Sequence, residues 1–356
     1  MNIPFCKTTL GVEEKQAICD VIDSGWVVMG KKTQEFEEEF AKYVGAKYAV
    51  MVDSGTSALD LSVKRLLEEG VWKKGDEIKV PSLTFTSSAE VLVNNGLYPL
   101  FWDVREETFS MASLGREHDK LSLPVNLLGN RSNVLSPIVD SAHRILRGDL
   151  PGSDAMWCYS LYATKNMTTA SGGVIVTNNE EQYKWLKLAR DHGVTKGTTE
   201  RYKDGQPFYD IEFIGWRYKP TDIDAVIGLE QLKKLDYFNL QREGIINQYN
   251  KYLLLNRSGL HLYPIYTNDR PKFIQFMREK GVQVSVHFRP LHQMTGYKKI
   301  MNDRDKNRNW DIALPCTTAL SKKIVSLPLY PQLTDDEVKY ICDKTIESGL
   351  FTRQLT

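Results

Sequence analysis

Lys165 closes the stretch Ser160-Leu161-Tyr162-Ala163-Thr164-Lys165, just past a short apolar run and five residues after a serine hydroxyl. Asp140 opens Asp140-Ser141-Ala142-His143 directly after the apolar Pro137-Ile138-Val139, and Gly172-Gly173-Val174-Ile175-Val176-Thr177 follows downstream. These residue types suit one kind of chemistry. A lysine amine forms a Schiff base with an aldehyde, and burial makes it give up its proton more readily. A serine hydroxyl can bond a phosphate. An aspartate at a neighbouring strand end can pair with a pyridine nitrogen and keep it protonated. Together these are the parts a protein supplies to pyridoxal phosphate (PLP).

The elements around these residues alternate. Phe36, Phe40, Tyr43 and Val44 fall at helical spacing over 34–44, and Gly45 stops that helix. Lys47 to Val52 reads as a strand. Ser54-Gly55-Thr56-Ser57 opens the next helix, which runs to Gly70. A strand, a glycine turn and a helix N-terminus present free backbone N–H groups to an anion. Strands are expected at Ile78 to Val80, Leu100 to Val104, Leu121 to Leu128, Ile138 to Asp140, Met156 to Tyr162 and Gly173 to Thr177, with a helix over Phe85 to Asn94. Such alternation predicts an α/β domain with a mostly parallel sheet flanked by helices. Ligands gather at the carboxyl ends of strands in such sheets. Ser54, Asp140 and Lys165 all fall at or past such ends.

Val194 to Pro207 is polar and turn-rich, as expected of a mobile or partner-covering loop. Thr221 to Leu235 reads as a helix, and a second long helix follows to about Gly259. The smaller C-terminal lobe is expected to be α+β. It holds a helix at Lys272 to Lys280, a strand at Val282 to Val286 and a final helix from Asp335, entered through the capping box Thr334-Asp335-Asp336-Glu337. The expected division is a large domain, 1–235, and a small one, 236–356, with 236–259 as the linking helix.

The chain has 356 residues and a net charge of +1, which argues against a nucleic-acid footprint. Its five cysteines include no C-x-x-C pair and read as free thiols of a reducing compartment. No apolar run is long enough to span a bilayer, and the first residues lack the pattern of a secretory leader. A cytoplasmic protein without membrane contact is therefore expected. No G-x-G-x-x-G follows a strand, which disfavours a nicotinamide oxidoreductase.

In its motifs the chain resembles the nucleotide-sugar aminotransferases of the DegT/StrS family. The resemblance runs in order through Ser24-Gly25-Trp26, Ser54 to Leu59, Pro81 to Phe85, Asp140 to His143, Ser160 to Lys165, Gly215 to Gly228, His287 to His292 and Ser326 to Leu329. It implies a fold type I PLP-dependent transferase, active as a homodimer with shared sites. It implies transfer of an amino group, expected from L-glutamate, to a nucleotide-linked keto-deoxy sugar. Another keto sugar, a cyclitol, or a non-catalytic nucleotide-sugar sensor on the same fold are the alternatives.

The resemblance also assigns roles. Lys165 and Asp140 are the catalytic pair; the family's dehydratases carry histidine where Lys165 stands. Phe85 stacks on the pyridine ring and His143 approaches the phenolic oxygen. Gly55, Thr56, Ser57 and Ser160 hold the phosphate, and Arg217 or Lys219 reaches the neighbouring chain's phosphate. Trp26, His287, Arg289 and His292 line the sugar-nucleotide pocket. His287 and His292 have no carboxylate or cysteine at ligand spacing, so no metal site is expected. Two departures stand out. Only ten residues separate Gly129 from Asp140, too few for the usual crossover helix. Thr169-Ala170-Ser171 replaces the family's Gly-Glu before the double glycine.

Overall fold

The computed structural model describes residues 1–112, 119–149, 155–195, 208–304 and 308–355. Helix α1 (Val12–Asp23) leads to α2 (Lys31–Val44), which buries Phe36, Phe40, Tyr43 and Val44 and ends on Gly45 at φ 81°, a left-handed cap that glycine adopts without strain. Strand β1 (Tyr48–Val52) enters α3 (Gly55–Glu68); β2 (Glu77–Pro81), α4 (Ser87–Asn94) and β3 (Tyr98–Trp102) follow. Then come β4 (Ile138–Asp140), β5 (Met156–Ser160), β6 (Gly173–Thr177) and α5 (Glu180–Ala189).

The pairs β2–β3 and β4–β5 are parallel, whereas β6 runs antiparallel to both β5 and β1. Residues 121–126 join the two halves. Leu123 donates to the Lys79 carbonyl at 2.8 Å, and Asp140 donates to the Pro124 carbonyl at 2.9 Å. The spatial order is thus β3, β2, this ribbon, β4, β5, β6, β1. The sequence predicts a strand over Leu121 to Leu128. The structure instead makes isolated bridges at Ser122 and Val125 and a short 3-10 turn at Leu127–Gly129. Pro124 has no N–H for the ladder, which shortens the pairing. The short crossover to β4 carries no helix beyond that turn, as its length requires.

One helix, Asp222–Leu253, runs where two were expected, capped by Thr221 and Asp224 in a reciprocal box. It spans position 235/236, where the sequence places the domain division. The C-terminal lobe is a small antiparallel sheet, β7 (Tyr263–Thr267) between β8 (Ile324–Leu327) and β9 (Phe351–Thr352). The helices Arg270–Glu279 and Asp335–Glu347 contribute Phe273, Met277, Val338 and Ile341 to its core, and Tyr249 and Leu253 of the long helix close it. The strand expected at Val282 to Val286 is reduced to bridges of Val282 to Ile3 and Ser285 to Ser326. These bridges tie the N-terminal segment to the lobe and place His287 beside Phe5, ring centroids 5.3 Å apart. Val194 bridges Ile211; the remainder of the expected loop, 196–207, lies outside the described residues.

Candidate active site

The carboxyl ends of β1, β4 and β5 open on a cavity of about 500 Å³. Gly55, Thr56, Phe85, Asp140, His143, Ser160, Lys165 and His287 all line it. The α3 N-terminus forms one wall. Ser54 caps this helix by accepting from Ser57 N–H at 3.1 Å, which leaves the Gly55 and Thr56 N–H groups at the mouth of the dipole. A Cβ on Gly55 would lie 2.8 Å from Ser160 Cβ, so the helix end and the Ser160 hydroxyl share one notch only because residue 55 has no side chain. Ser57 is used differently from expectation. Its N–H serves the cap and its hydroxyl donates to Asp53 at 2.6 Å, so it does not line the cavity.

Asp140 is buried. It accepts from Ser88 Oγ at 2.7 Å and from the Ala142 N–H at 3.0 Å. Burial pushes its carboxyl up, against the pull of those two donors and of Lys165. Lys165 moves the other way: burial lowers its ammonium to about 8, and the Asp140 charge partly restores it. An amine at about 8 is a usable nucleophile near neutral pH; one at its ordinary value is not. Capture of PLP by the cofactor-free protein should therefore speed up with pH and reach half its maximum near 8, because only the neutral amine attacks. Removing the Asp140 charge should move that midpoint lower. A midpoint near 10 in stopped-flow absorbance would contradict the burial argument.

Three of the chain's six histidines surround the lysine. Burial holds His143 and His261 well below their ordinary values and His287 at about 4, and the Lys165 charge adds to each. His143 Nδ1 accepts from the Leu128 N–H at 3.3 Å, which leaves Nε2 as the protonated, donating nitrogen. Its ring lies 4.2 Å from that of His261. His287 pairs with Ser326 Oγ at 3.0 Å.

PLP fits this donor set. A phosphate would meet the Gly55 and Thr56 N–H groups and Ser160, and a pyridinium would meet the buried Asp140. The His143 donor is suited to a phenolic oxygen, and the Phe85 face, 57% exposed, to a planar ring.

The other expected residues lie elsewhere in the single chain. Arg217 is exposed, and Lys219 is held by Asp191 at 2.7 Å. Trp26 sits at a separate surface pocket beside α1 and α2. Arg289 is exposed and donates to the Gln293 carbonyl. His292 is buried, with Nδ1 on Ser82 and Nε2 on Asp311, which leaves no ring nitrogen for a ligand. Two residues escape sequence reasoning. Ser88 stands in the hydroxyl run Thr86-Ser87-Ser88, a sign of a helix start but not of an Asp140 contact. His261 lies two residues before β7, nearly a hundred residues after Lys165, and a lone histidine there carries no spacing signal.

The family model described as the DegT/DnrJ/EryC1/StrS aminotransferase family matches residues 8–136 and 135–345. Among curated proteins, the chain is 32% identical to the uncharacterized protein MJ1066 of Methanocaldococcus jannaschii, over 94% of this chain and 95% of that one. It is 30% identical to the spore coat polysaccharide biosynthesis protein SpsC of Bacillus subtilis, over 94% of each. Among solved structures, the putative sugar aminotransferase Spr1654 from Streptococcus pneumoniae in its PMP form superimposes with a TM-score of 0.84 at 27% identity. That match covers 96% of this chain and 98% of the other.

Proposed function

Since the chain belongs to the DegT/DnrJ/EryC1/StrS aminotransferase family, we propose that this PLP-dependent aminotransferase moves the amino group of L-glutamate onto the keto carbon of a nucleotide-linked keto-deoxy sugar. The observation that carries the reading is Lys165, with its ammonium lowered to about 8, in one cavity with buried Asp140 and the free helix end at Gly55. The sugar acceptor is supported by the likeness to the pneumococcal sugar aminotransferase and to the spore coat polysaccharide protein. The five cysteines are free thiols, in keeping with a cytoplasmic site of action. No described helix is long and apolar enough to cross a membrane.

When bound, PLP supplies an aldehyde that takes up the amino group and a ring that withdraws electrons from the reacting carbon. The chain supplies the rest. The Asp140 carboxylate holds the proton on the pyridine nitrogen, and Ser88 and the Ala142 N–H fix its oxygens. His143 Nε2–H would donate to the phenolic oxygen. Gly55, Thr56 and Ser160 would anchor the phosphate. With PLP bound, Lys165 Nζ would take the proton from the donor's Cα and hold it for return during the transfer. Neutral His143, His261 and His287 add no cation to compete with it. His287 lines the cavity wall, from which it would meet the acceptor. Trp26 and Arg289 would meet the sugar nucleotide only from the rim or from a second chain, and His292 supports the wall through Ser82 and Asp311.

The site is read as shared between two chains. Among the described residues Lys165 is the one cation lining the cavity, and a helix end alone leaves a dianionic phosphate under-neutralised. Ile214, directly before Gly215 to Lys219, is 83% exposed, and Phe208 a few residues upstream is 83% exposed as well, as at a protein interface. Lys165→Ala and the double variant Arg217→Ala, Lys219→Ala should each be inactive or weak alone. Mixed and allowed to exchange subunits, they should regain activity approaching one normal site per heterodimer. Heterodimers confirmed by native mass spectrometry yet inactive would show that no cation crosses the interface.

The reaction itself is tested by incubating the protein with glutamate and a panel of nucleotide keto-sugars. Mass and NMR analysis should find an aminated sugar nucleotide together with 2-oxoglutarate. An aminated free sugar or cyclitol, with no sugar nucleotide consumed, would replace the proposed acceptor.

A further inference from the structure

Arg242 lies on the long helix Asp222–Leu253 and is 5% exposed. Its guanidinium makes no hydrogen bond or ion pair with any described residue, and Nη1 is buried without a partner. The equally buried Arg190 shows the usual arrangement: it is paired with Glu37. A guanidinium stays charged at any working pH, and an uncompensated buried charge is strongly destabilising. Arg242 therefore calls for an anion that the chain alone does not provide.

The place for that anion is a crevice of about 10 Å³, room for one water-sized group. Lys7, Lys165 and Arg242 line it, and none of the described residues lining it is an aspartate or glutamate. The crevice adjoins the main cavity, sharing Cys6, Thr164, Lys165, His261 and Leu329 with it. His261 is the partition: its ring is against His143 on the cavity side and feels the charges of both Lys165 and Arg242.

We propose that Arg242 receives the side-chain carboxylate of the amino donor, and so selects a dicarboxylic amino acid. The inference rests on the reading of glutamate as donor. The donor's α-carboxylate is one carbon from the amine and stays beside Lys165. The side-chain carboxylate lies two methylenes further and reaches the cation behind His261. The crevice admits a carboxylate oxygen and is too small for the diphosphate of a sugar nucleotide. That larger ligand needs the open mouth, where Phe85 and Tyr162 are each 57% exposed.

The test uses the dimeric holoenzyme and its Arg242→Gln and Arg242→Lys variants. Conversion of the cofactor to its pyridoxamine form is followed by rapid-mixing absorbance with glutamate, glutamine and alanine. Loss of a charge-assisted bond should cut the efficiency with glutamate about 10- to 100-fold in Arg242→Gln and change it less than about threefold with the other two donors. Arg242→Lys should recover part of the loss. Independently of turnover, calorimetry should show glutarate binding to the parent more tightly than butyrate, with that preference lost in Arg242→Gln. Equal losses for all three donors, or unchanged glutamate kinetics, would overturn the proposal. If Arg242→Gln does not fold, the Arg242→Lys kinetics and the glutarate preference of the parent decide. A parent that converts no donor at all refutes the transaminase reading itself. A parent that favours glutamine or alanine over glutamate removes the donor assignment, and the Arg242 role with it.

Discussion

Lys165→Ala is expected to lose at least about 1000-fold in turnover, because one side chain supplies both the nucleophile for the cofactor and the proton carrier for the transfer. The yellow absorbance of lysine-bound PLP should vanish with it. The fold should survive. Lys165 makes no salt bridge with any described residue, and the backbone bond of its N–H to the Tyr162 carbonyl, 2.9 Å, does not depend on the side chain. A melting temperature close to the parent's, together with the lost absorbance, separates a catalytic role from a structural one. Parent-level turnover in this variant would remove Lys165 from the chemistry.

Asp140→Asn is the second large effect. The amide oxygen can still accept from the Ala142 N–H, and Ser88 Oγ can turn to accept from the amide nitrogen, so the pocket wall should hold. What is lost is the negative charge that would face the pyridine nitrogen of bound PLP. A charge-assisted hydrogen bond is worth about 1.5–3 kcal/mol, which alone is a fall of roughly 10- to 100-fold, before the weaker electron withdrawal by an unprotonated ring is added. Cofactor content should stay near one per chain. The pH midpoint of cofactor capture should drop below 8, since Asp140 raises the lysine's value in the native site. Unchanged turnover with full cofactor would place Asp140 outside the reaction.

That Lys165 and Asp140 share one cavity was legible in the sequence because Asp140 ends one apolar strand and Lys165 follows five residues after the end of the next. The same logic located Gly55, Thr56 and Ser160, which lie at a strand end or on the helix start that follows one. It failed where a side chain's direction depends on a cap. Ser57 belongs to the same run as Thr56, yet one position along the helix turns its hydroxyl to Asp53. It failed again where distant segments meet. His261, Ser88 and Arg242 come from three separate elements, and only tertiary packing brings them to Lys165 or Asp140. The missing crossover helix followed from length alone. The unbroken helix Asp222–Leu253 did not, because the stretch after Leu235 carries Gly244 and no sharp boundary signal, and it is packing against two cores that holds both of its halves.

The most direct measurement of the central claim is chemical. The PLP-loaded protein is reduced with borohydride, digested, and mapped by tandem mass spectrometry, which fixes the cofactor covalently to whichever amine held it. The account predicts one phosphopyridoxyl group per chain, on the peptide that contains Ser160 to Lys165, with Lys165 as the modified residue. Modification of a different lysine, or no specific site in the folded protein, would contradict it.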